Sequence, residues 1–499
     1  MEQAAEQRGK IKYQAIDRSQ TRWEQLDIEE LIPQNHAARV IWEVSGKFDF
    51  RRFEATRKTR EDEAGRPCWS PRLLASIWIY SYSVGIASAR AIERMMTHEP
   101  GLRWLAGTEV INHHTLSDFR VEDKEGLEGL FAQFLAMLET AGVVDFRTML
   151  HDGTKVKTVA GSASLHRRKT LEKRLKQARK VMRELERRAA AEEAGEGVDR
   201  KQEAAQKRAA EEAVKRASAA LEKIKKLQAS AAPGERDEVR VSASEPEARK
   251  MKHADGSWAP SYNVQVSTEG KSRVIVGIGV TTAANDTQEL LPAVEKVKEN
   301  TGQQPHQVIA DNGYATRSNV EETSARKIEL IAPWKEDRSR EAGACARNGI
   351  GAEFGPSAFC GRAGGKQLIC PAGKKLVVIG ERKHHGLPHQ MFAARASDCG
   401  RCRHRKQCCP GGGPRRVERV VESQAMRGYL ARMKRPEVKQ LYKKRSEIAE
   451  FPHLWAKAVK GWRRFSVRGM VKAGMEAIWV ALAYNVTQWM RVKPQAAAA

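Results

Sequence analysis

The opening stretch, MEQAAEQRGK, has no apolar h-region, so no secretory signal is expected. Long hydrophobic runs are also missing. The longest apolar segment, Ala477 to Val486, is too short to span a bilayer. A cytosolic protein with no membrane partner is the expectation. Acidic charge is in short supply: Asp+Glu number 62 against 88 Lys+Arg, leaving +26. Such a surplus favours a polyanionic partner, because each Lys or Arg placed on a phosphate releases condensed counterions. Basic composition alone is equally compatible with a ribosomal or membrane-surface role. Cysteine is sparse. Seven of the eight fall between Cys345 and Cys409, which in a reducing compartment points to a local metal site rather than a disulfide framework. Cys68 stands apart and is expected to be a small buried hydrophobe.

The hydrophobic share of 41% is enough for packed cores. At 499 residues the chain is too long for one core and is expected to hold two or three domains with insertions. Residues 1–145 read as helical. Pro71 to Val84 is apolar with Pro at its first turn, Gly85 breaks it, and Ser88 can cap Ala89 to Thr97. Thr115–Arg120 and Gly126–Ala141 add two more helices. Helix, Gly turn, helix suits a helix-turn-helix DNA reader and an ordinary bundle equally. His113 and His114 read as cap or surface residues, since no Cys or Glu stands at ligand spacing.

Phe146 to His151 is a strand signal that ends at Asp152. Within 165–228, Leu171, Leu175, Ala178, Met182 and Leu185 repeat at spacings of four and three, as do Val214, Ala217, Leu221 and Ile224. This predicts an inserted antiparallel coiled-coil hairpin, read first as a solvated arm and second as a DNA-clamping or dimerising one. Strand signals return at Tyr262–Thr268 and Val274–Thr281, followed by a helix at Thr287–Glu299 capped by Asn285 or Asp286. Gln307–Ala310 is a strand ending at Asp311, Arg317–Ala325 a short helix, and Ile328–Ala332 a strand. That order predicts an α/β ribonuclease-H-like core with a mixed sheet. Its first part is 146–335 and its C-terminal helical part is 419–492. The block 336–418 interrupts it as a cysteine-rich insert.

Asp152 in LHDGTKV and Asp311 in VIADNGYAT each follow an apolar run, so each falls at a strand end. Glu450 lies on a predicted helix in YKKRSEIAEFPHLWAK, with Glu447 its rival three residues away. Two Mg²⁺ (or Mn²⁺) ions about 3.5–4 Å apart need shared carboxylate oxygens, and three acids suffice when water and phosphate complete the shell. Lys443, Glu450 and Lys457 are seven apart, hence predicted on one helix face, where lysines can meet DNA phosphates beside an acid. Arg445, Arg463, Arg464 and Arg468 extend that basic surface. Trp462, Trp479, Leu482 and Val486 read as core packing.

In the insert, Cys399-x2-Cys402-x5-Cys408 presents three thiolates at ligand spacing, and Cys370 before a Pro-Ala-Gly turn is the best fourth. Four thiolates suit a closed, structural Zn²⁺ site. Cys360, Cys409 and His404 are alternative ligands.

With these residues in view the chain resembles the DDE transposases of bacterial insertion sequences, in the branch with a Tyr-Arg-Glu-Lys signature and a cysteine-bearing insert. LIPQNHAARVI, SPRLLASIWIYSYSVGIASARAIERM and HHTLSDFR are similar to that family's N-terminal domain. HDGTKV, SEPEARKMKHADGSWAPSYNVQV and VIADNGYAT are similar to its first-Asp, second-strand and second-Asp regions. AEFPHLWAKAVKGWRRFSVRG is similar to its Glu motif and the elements that follow. The resemblance implies the triad Asp152, Asp311 and Glu450, and the signature Tyr442, Arg445, Glu450 and Lys457. The Arg-to-Glu gap is one residue longer than usual, Phe451 precedes Pro452, and Trp455 stands near where a Gly is common. It also implies a nucleoid-associated bacterial enzyme. Its reaction would be metal-dependent cleavage at terminal inverted repeats and strand transfer to target DNA, by a homodimer on paired ends. The alternative is a transposase-derived DNA-binding protein without catalysis.

Overall fold

The computed structural model describes Ser19 and residues 25–57, 67–192, 200–334, 338–362, 366–384 and 386–496. Seven helices come first: α1 (Ala37–Ser45), α2 (Arg51–Ala55), α3 (Pro71–Ser83), α4 (Ala89–Met95), α5 (Pro100–Leu105), α6 (His113–Arg120) and α7 (Lys124–Thr140). The start signals work as expected: Pro71 opens α3, and the Ser88 hydroxyl accepts the Ala91 amide at the head of α4. Gly85 turns the chain between them at φ +85°, a conformation that costs glycine little. α3 is buried on every side from Leu74 to Tyr82, so it is the centre of a bundle.

β1 (Thr148–Lys157) follows, then β2 (Leu165–His166) and two long helices, α8 (Arg168–Glu192) and α9 (Arg200–Ser230). Leu171 near the start of α8 packs with Ala220, Leu221 and Ile224 near the end of α9, so the pair runs antiparallel at its base. β3 (Val241–Ser242) pairs with β2 and closes that base. β4 (Arg249–Lys252), β5 (Trp258–Glu269), β6 (Ile275–Thr281), α10 (Leu290–Thr301), β7 (Gln307–Ala310), α11 (Arg317–Ala325) and β8 (Glu329–Ile331) complete the first part of the core.

These strands form one mixed sheet. β1 lies antiparallel to β5 on one side and parallel to β7 on the other, and β7 is parallel to β8. The far edge of β5 pairs with β4 along its first half and β6 along its second. Order and polarity are those of a ribonuclease-H-like sheet with helices on its faces.

β1 corrects one expectation. It does not end at Asp152 but continues to Lys157, because β5 pairs with it all the way. Its partner β7 stops at Ala310, opposite His151. Asp152 is therefore exposed by the end of the neighbouring strand and not by the end of its own. The helix expected at 287–299 starts later, at Leu290, and Asp286 does not cap it.

The insert has a sheet of its own. After α12 (Arg338–Arg347) it folds into a five-stranded antiparallel sheet, β9 (Cys360–Arg362), β10 (Gln367–Ile369), β11 (Lys375–His384), β12 (Leu387–Ala394) and β13 (Arg416–Val420). α13 (Ala396–Gly400) and α14 (Arg405–Cys408) lie between β12 and β13. Phe354, Phe359, Leu368, Leu376 and Phe392 give it a small core. Few apolar residues suffice because the strands are short and one face is left to solvent: Val377 and Ile379 are each 49% exposed.

The chain returns to the main body as α15 (Gln424–Met433), α16 (Pro436–Lys443), α17 (Arg445–Leu454), a π-helical turn (Trp455–Val459) and α18 (Met470–Ala496). The apolar segment at 477–484 is buried at every position, packed between α3, α7 and β6. One core thus runs through the N-terminal helices and the sheet. Polar ties cross the same boundary. Arg120 donates to Ser466 Oγ at 2.7 Å and Trp479 donates to the Arg120 carbonyl at 3.0 Å. Buried Glu476 accepts from the Trp462 indole at 3.0 Å and from the Ser466 amide. Among the described residues no helix is long and apolar enough to cross a membrane.

Candidate active site and cysteine cluster

Side chains alternate faces along a strand. Leu150 and Ile309 share a face with Asp152 and Asp311, and that face packs on Ala449 of α17. The register sets His151 opposite Ala310, so the two aspartates are level on adjacent parallel strands, about 5 Å apart at the backbone. They stand on one face with α17 over it. The charges feel each other. Burial first, then the Asp311 carboxylate, pushes the Asp152 acid up from 3.8 to about 6, against the pull of Arg445.

α17 supplies the basic wall. Arg445 Nη1 lies 3.5 Å from Asp152 Oδ2, and the guanidinium packs over the Tyr442 ring at 6.0 Å. Burial alone would lower its pKa, but Asp152, Tyr442 and Asp311 outweigh that and raise it. Lys457 donates to Thr154 Oγ1 at 2.6 Å and to the Lys155 carbonyl at 2.7 Å. Burial, with Arg463 adding, lowers its ammonium to about 8, while Asp152 opposes. His453, between them on the helix, is lowered to about 3 by burial first and then by Lys457, with the Asp152 backbone resisting. Its Nε2 is buried without a hydrogen bond. Sequence reasoning missed His453 because nothing in its spacing marks it as polar core.

The helix expected across 442–457 is broken. α16 ends at Lys443 and α17 begins at Arg445, with Lys444 a turn residue between them. Lys443 therefore does not share a continuous face with Glu450 and sits exposed at the end of another helix. Both glutamates are exposed on α17. At about 100° per residue, Glu447 points opposite the buried Ala449–Pro452 side and Glu450 lies about 130° around from it, and neither is among the charges that shift Asp152.

The predicted arginines divide. Arg464 Nη1 donates to the Thr158 carbonyl at 2.6 Å and pins its loop to the end of β1. Arg463 donates to the Lys457 carbonyl at 3.2 Å, and Arg468 is exposed beyond them.

The opposite face of β1 holds a buried polar network that the sequence did not reveal. His151 bonds Ser267 Oγ at 3.0 Å and Gln265 at 2.9 Å, and the Tyr314 hydroxyl donates to Gln265 Oε1 at 2.7 Å. Asp286 accepts from Asn263 at 2.7 Å and Gln265 at 2.8 Å. Its oxygen would lie 2.6 Å from a Cβ at position 153, so Gly153 leaves room for it. Burial lowers His151 to about 4, which keeps it neutral. This network braces the strand under Asp152.

Five of the insert's cysteines, Cys370, Cys399, Cys402, Cys408 and Cys409, line one small cavity. The Lys374 amide donates to Cys370 Sγ at 3.2 Å and the Arg415 amide to Cys399 Sγ at 3.4 Å. Burial and neighbouring sulfurs push Cys409 up to about 12. Cys360 lies in β9 and lines no part of this cavity. Cys68 is exposed, contrary to its reading as a buried hydrophobe. His384, His389 and Glu418 form a second group of metal-type donors on the same sheet, but Arg382 already forks Glu418 and Leu387 O holds His389 Nδ1 at 3.0 Å.

Fold and site define an α/β enzyme of ribonuclease-H-like class with paired carboxylates at the end of a strand. Comparison with protein families gives two matches. Residues 26–122 match a transposase domain (DUF772), and residues 369–490 match a transposase DDE domain. The two matches indicate a DDE transposase of an insertion-sequence type. The second match contains Arg445, Glu450, Lys457 and the clustered thiols; Asp152 and Asp311 lie between the two matched stretches. No curated protein and no solved structure matches.

Proposed function

We propose that Asp152, Asp311 and Glu450 form the catalytic carboxylate set of a transposase that cleaves the ends of an insertion sequence and joins them to target DNA. The observation that carries this is the level placement of Asp152 and Asp311 on one sheet face under the helix bearing Glu450. In cleavage a water oxygen replaces the 3′ bridging oxygen at phosphorus, leaving a 3′-OH and a 5′-phosphate. In transfer that 3′-OH replaces the 3′ bridging oxygen of a target phosphodiester. Both are phosphoryl transfers, where positioning and charge neutralisation supply most of the rate.

The carboxylates fit Mg²⁺ or Mn²⁺: two half-buried acids repel each other, and the cation beside them, Arg445, makes no hydrogen bond through its Nη1. A divalent cation held there would sharpen the attacking oxygen and neutralise the leaving one. Arg445 holds the aspartate pair together before the cation arrives. Lys457, fixed on Thr154, presents an ammonium to a backbone phosphate, with Tyr442 and Arg463 beside it. Residues 1–145 would supply DNA-end recognition, and a homodimer would pair two terminal inverted repeats. α8 and α9 are the coiled-coil hairpin inserted at 165–228. A structural Zn²⁺ would be held by Cys370, Cys399, Cys402 and Cys408, with Cys409 the alternative fourth thiolate. This reading divides the core into 146–335 and 419–492, with the insert at 336–418 between them.

The test separates the two glutamates. In Mg²⁺-dependent nicking of an inverted-repeat duplex, Glu450→Gln should lower the rate by two orders of magnitude or more, on the order expected for a group acting on transition-state charge. Glu447→Gln should change it less than threefold. The reverse pattern would move the third acid to Glu447. Duplex binding with no nicking by the wild type in Mg²⁺ or Mn²⁺ would favour a DNA-binding protein without catalysis.

A further inference from the structure

From sequence the paired helices α8 and α9 read first as a solvated arm and second as a DNA-clamping or dimerising one, and their charge is too one-sided for the first. They carry 19 basic and 8 acidic residues, +11 of the chain's +26. α9 alone spans about 46 Å at 1.5 Å per residue, longer than one turn of B-form DNA.

At the base of the pair the charge is organised. A groove of about 370 Å³ opens between the arm and the core. Arg174 of α8, Arg216 of α9 and Arg468 of the core all line it, with Gln177 and Ser244. No acid lines it. The small side chains of four alanines, at 178, 213, 217 and 243, form its remaining walls, which lets a phosphodiester approach the backbone.

The three arginines are placed by anchored backbone. Leu171, Ala220 and Ile224 lock the two helices together at this end. The Gly469 amide donates to Glu245 Oε1 at 3.2 Å and the Met470 amide to Glu247 Oε2 at 2.7 Å, fixing the loop that carries Arg468 against the segment bordering the groove. Arg216 has an exposed partner one turn away, Glu212 at 3.1 Å, itself 70% exposed. Such a surface pair is worth little and yields readily to a phosphate. Arg174 makes no ion pair among the described residues.

We infer that this groove is a phosphate-binding site for duplex DNA, and that α8 and α9 track the DNA backbone away from the active site. The inference rests on the transposase reading and extends it to the arm. A small anion would need the three arginines but not the basic surface beyond them.

The test uses the full-length protein and a 40-base-pair duplex of random sequence, with affinity measured by fluorescence anisotropy across a salt series. The double change Arg174→Glu with Arg216→Glu should weaken binding at least tenfold. It should also flatten the dependence of log affinity on log salt by about 2, since each lost phosphate contact removes about 0.9. Arg174→Lys with Arg216→Lys should recover most of both. The same reversal at exposed Lys298 and Lys375 should cost less than threefold, and thermal unfolding of all variants should match the wild type. Unchanged affinity and slope in the Glu double variant, with the wild type still binding, would overturn the groove and leave the transposase reading standing. Failure of the wild type to bind the duplex at all would remove the DNA reading beneath it.

Discussion

Asp152→Ala and Asp311→Ala should each lower metal-dependent nicking on the order of 10³-fold or more while duplex binding stays within a fewfold of wild type. The expectation follows from the register: the two aspartates stand on neighbouring chain segments and Asp311 acts on Asp152, so removing either takes away one of the carboxylates proposed to hold a cation. Loss of folding is not the cause to expect. Asp152 is raised to about 6 by burial and then by Asp311, so its charged form is the costly one. Between pH 6 and 4 the native state takes up this proton while the unfolded chain does not. The metal-free protein therefore gains stability from this group as pH falls through that window. Asp152→Asn removes the cost outright and should raise the melting temperature at pH 7. Nicking by both alanine variants at more than a tenth of the wild-type rate would remove the aspartates from the chemistry.

The second large effect concerns the cysteine cluster. Native protein should contain one zinc per chain, and Cys399→Ser should release it and unfold the insert. The physical reason is the size of the core. Phe354, Phe359, Leu368, Leu376 and Phe392 are its large buried apolar side chains, while five thiols face one cavity beside them. A structural zinc contributes about 10–16 kcal/mol to such a fold. Loss should appear as zinc release by a colorimetric indicator, a lower-temperature unfolding step and rapid proteolysis within 336–418. Wild-type protein from zinc-supplemented cells with less than a tenth of an equivalent bound would show the thiols to be free.

Much of this fold could be read from residues. Gln307–Ala310 and Arg317–Ala325 fall where the residues put them, because short buried strands and short helices, this one capped by Thr316, are encoded locally. Strand order followed from the succession of elements. What the residues could not reveal was set by pairing at a distance. β1 runs on past Asp152 because β5, more than a hundred residues later, pairs with it. The break at Lys444 has no Gly or Pro to announce it; it lets Arg445 reach Asp152. The buried network of His151, Gln265, Asp286 and Tyr314 assembles four segments, so no local spacing could signal it. The insert's sheet was hidden by its Gly, Arg and His content, which resembles a loop until its few aromatics are seen to converge.

The most direct measurement is anomalous diffraction from crystals of the full chain soaked in Mn²⁺. Manganese density touching both Asp152 and Asp311, with the Arg445 guanidinium displaced from Asp152 and the Glu450 carboxylate on the same side, is the predicted result. Manganese bound elsewhere, or Asp152 still paired with Arg445 at saturating Mn²⁺, would contradict it.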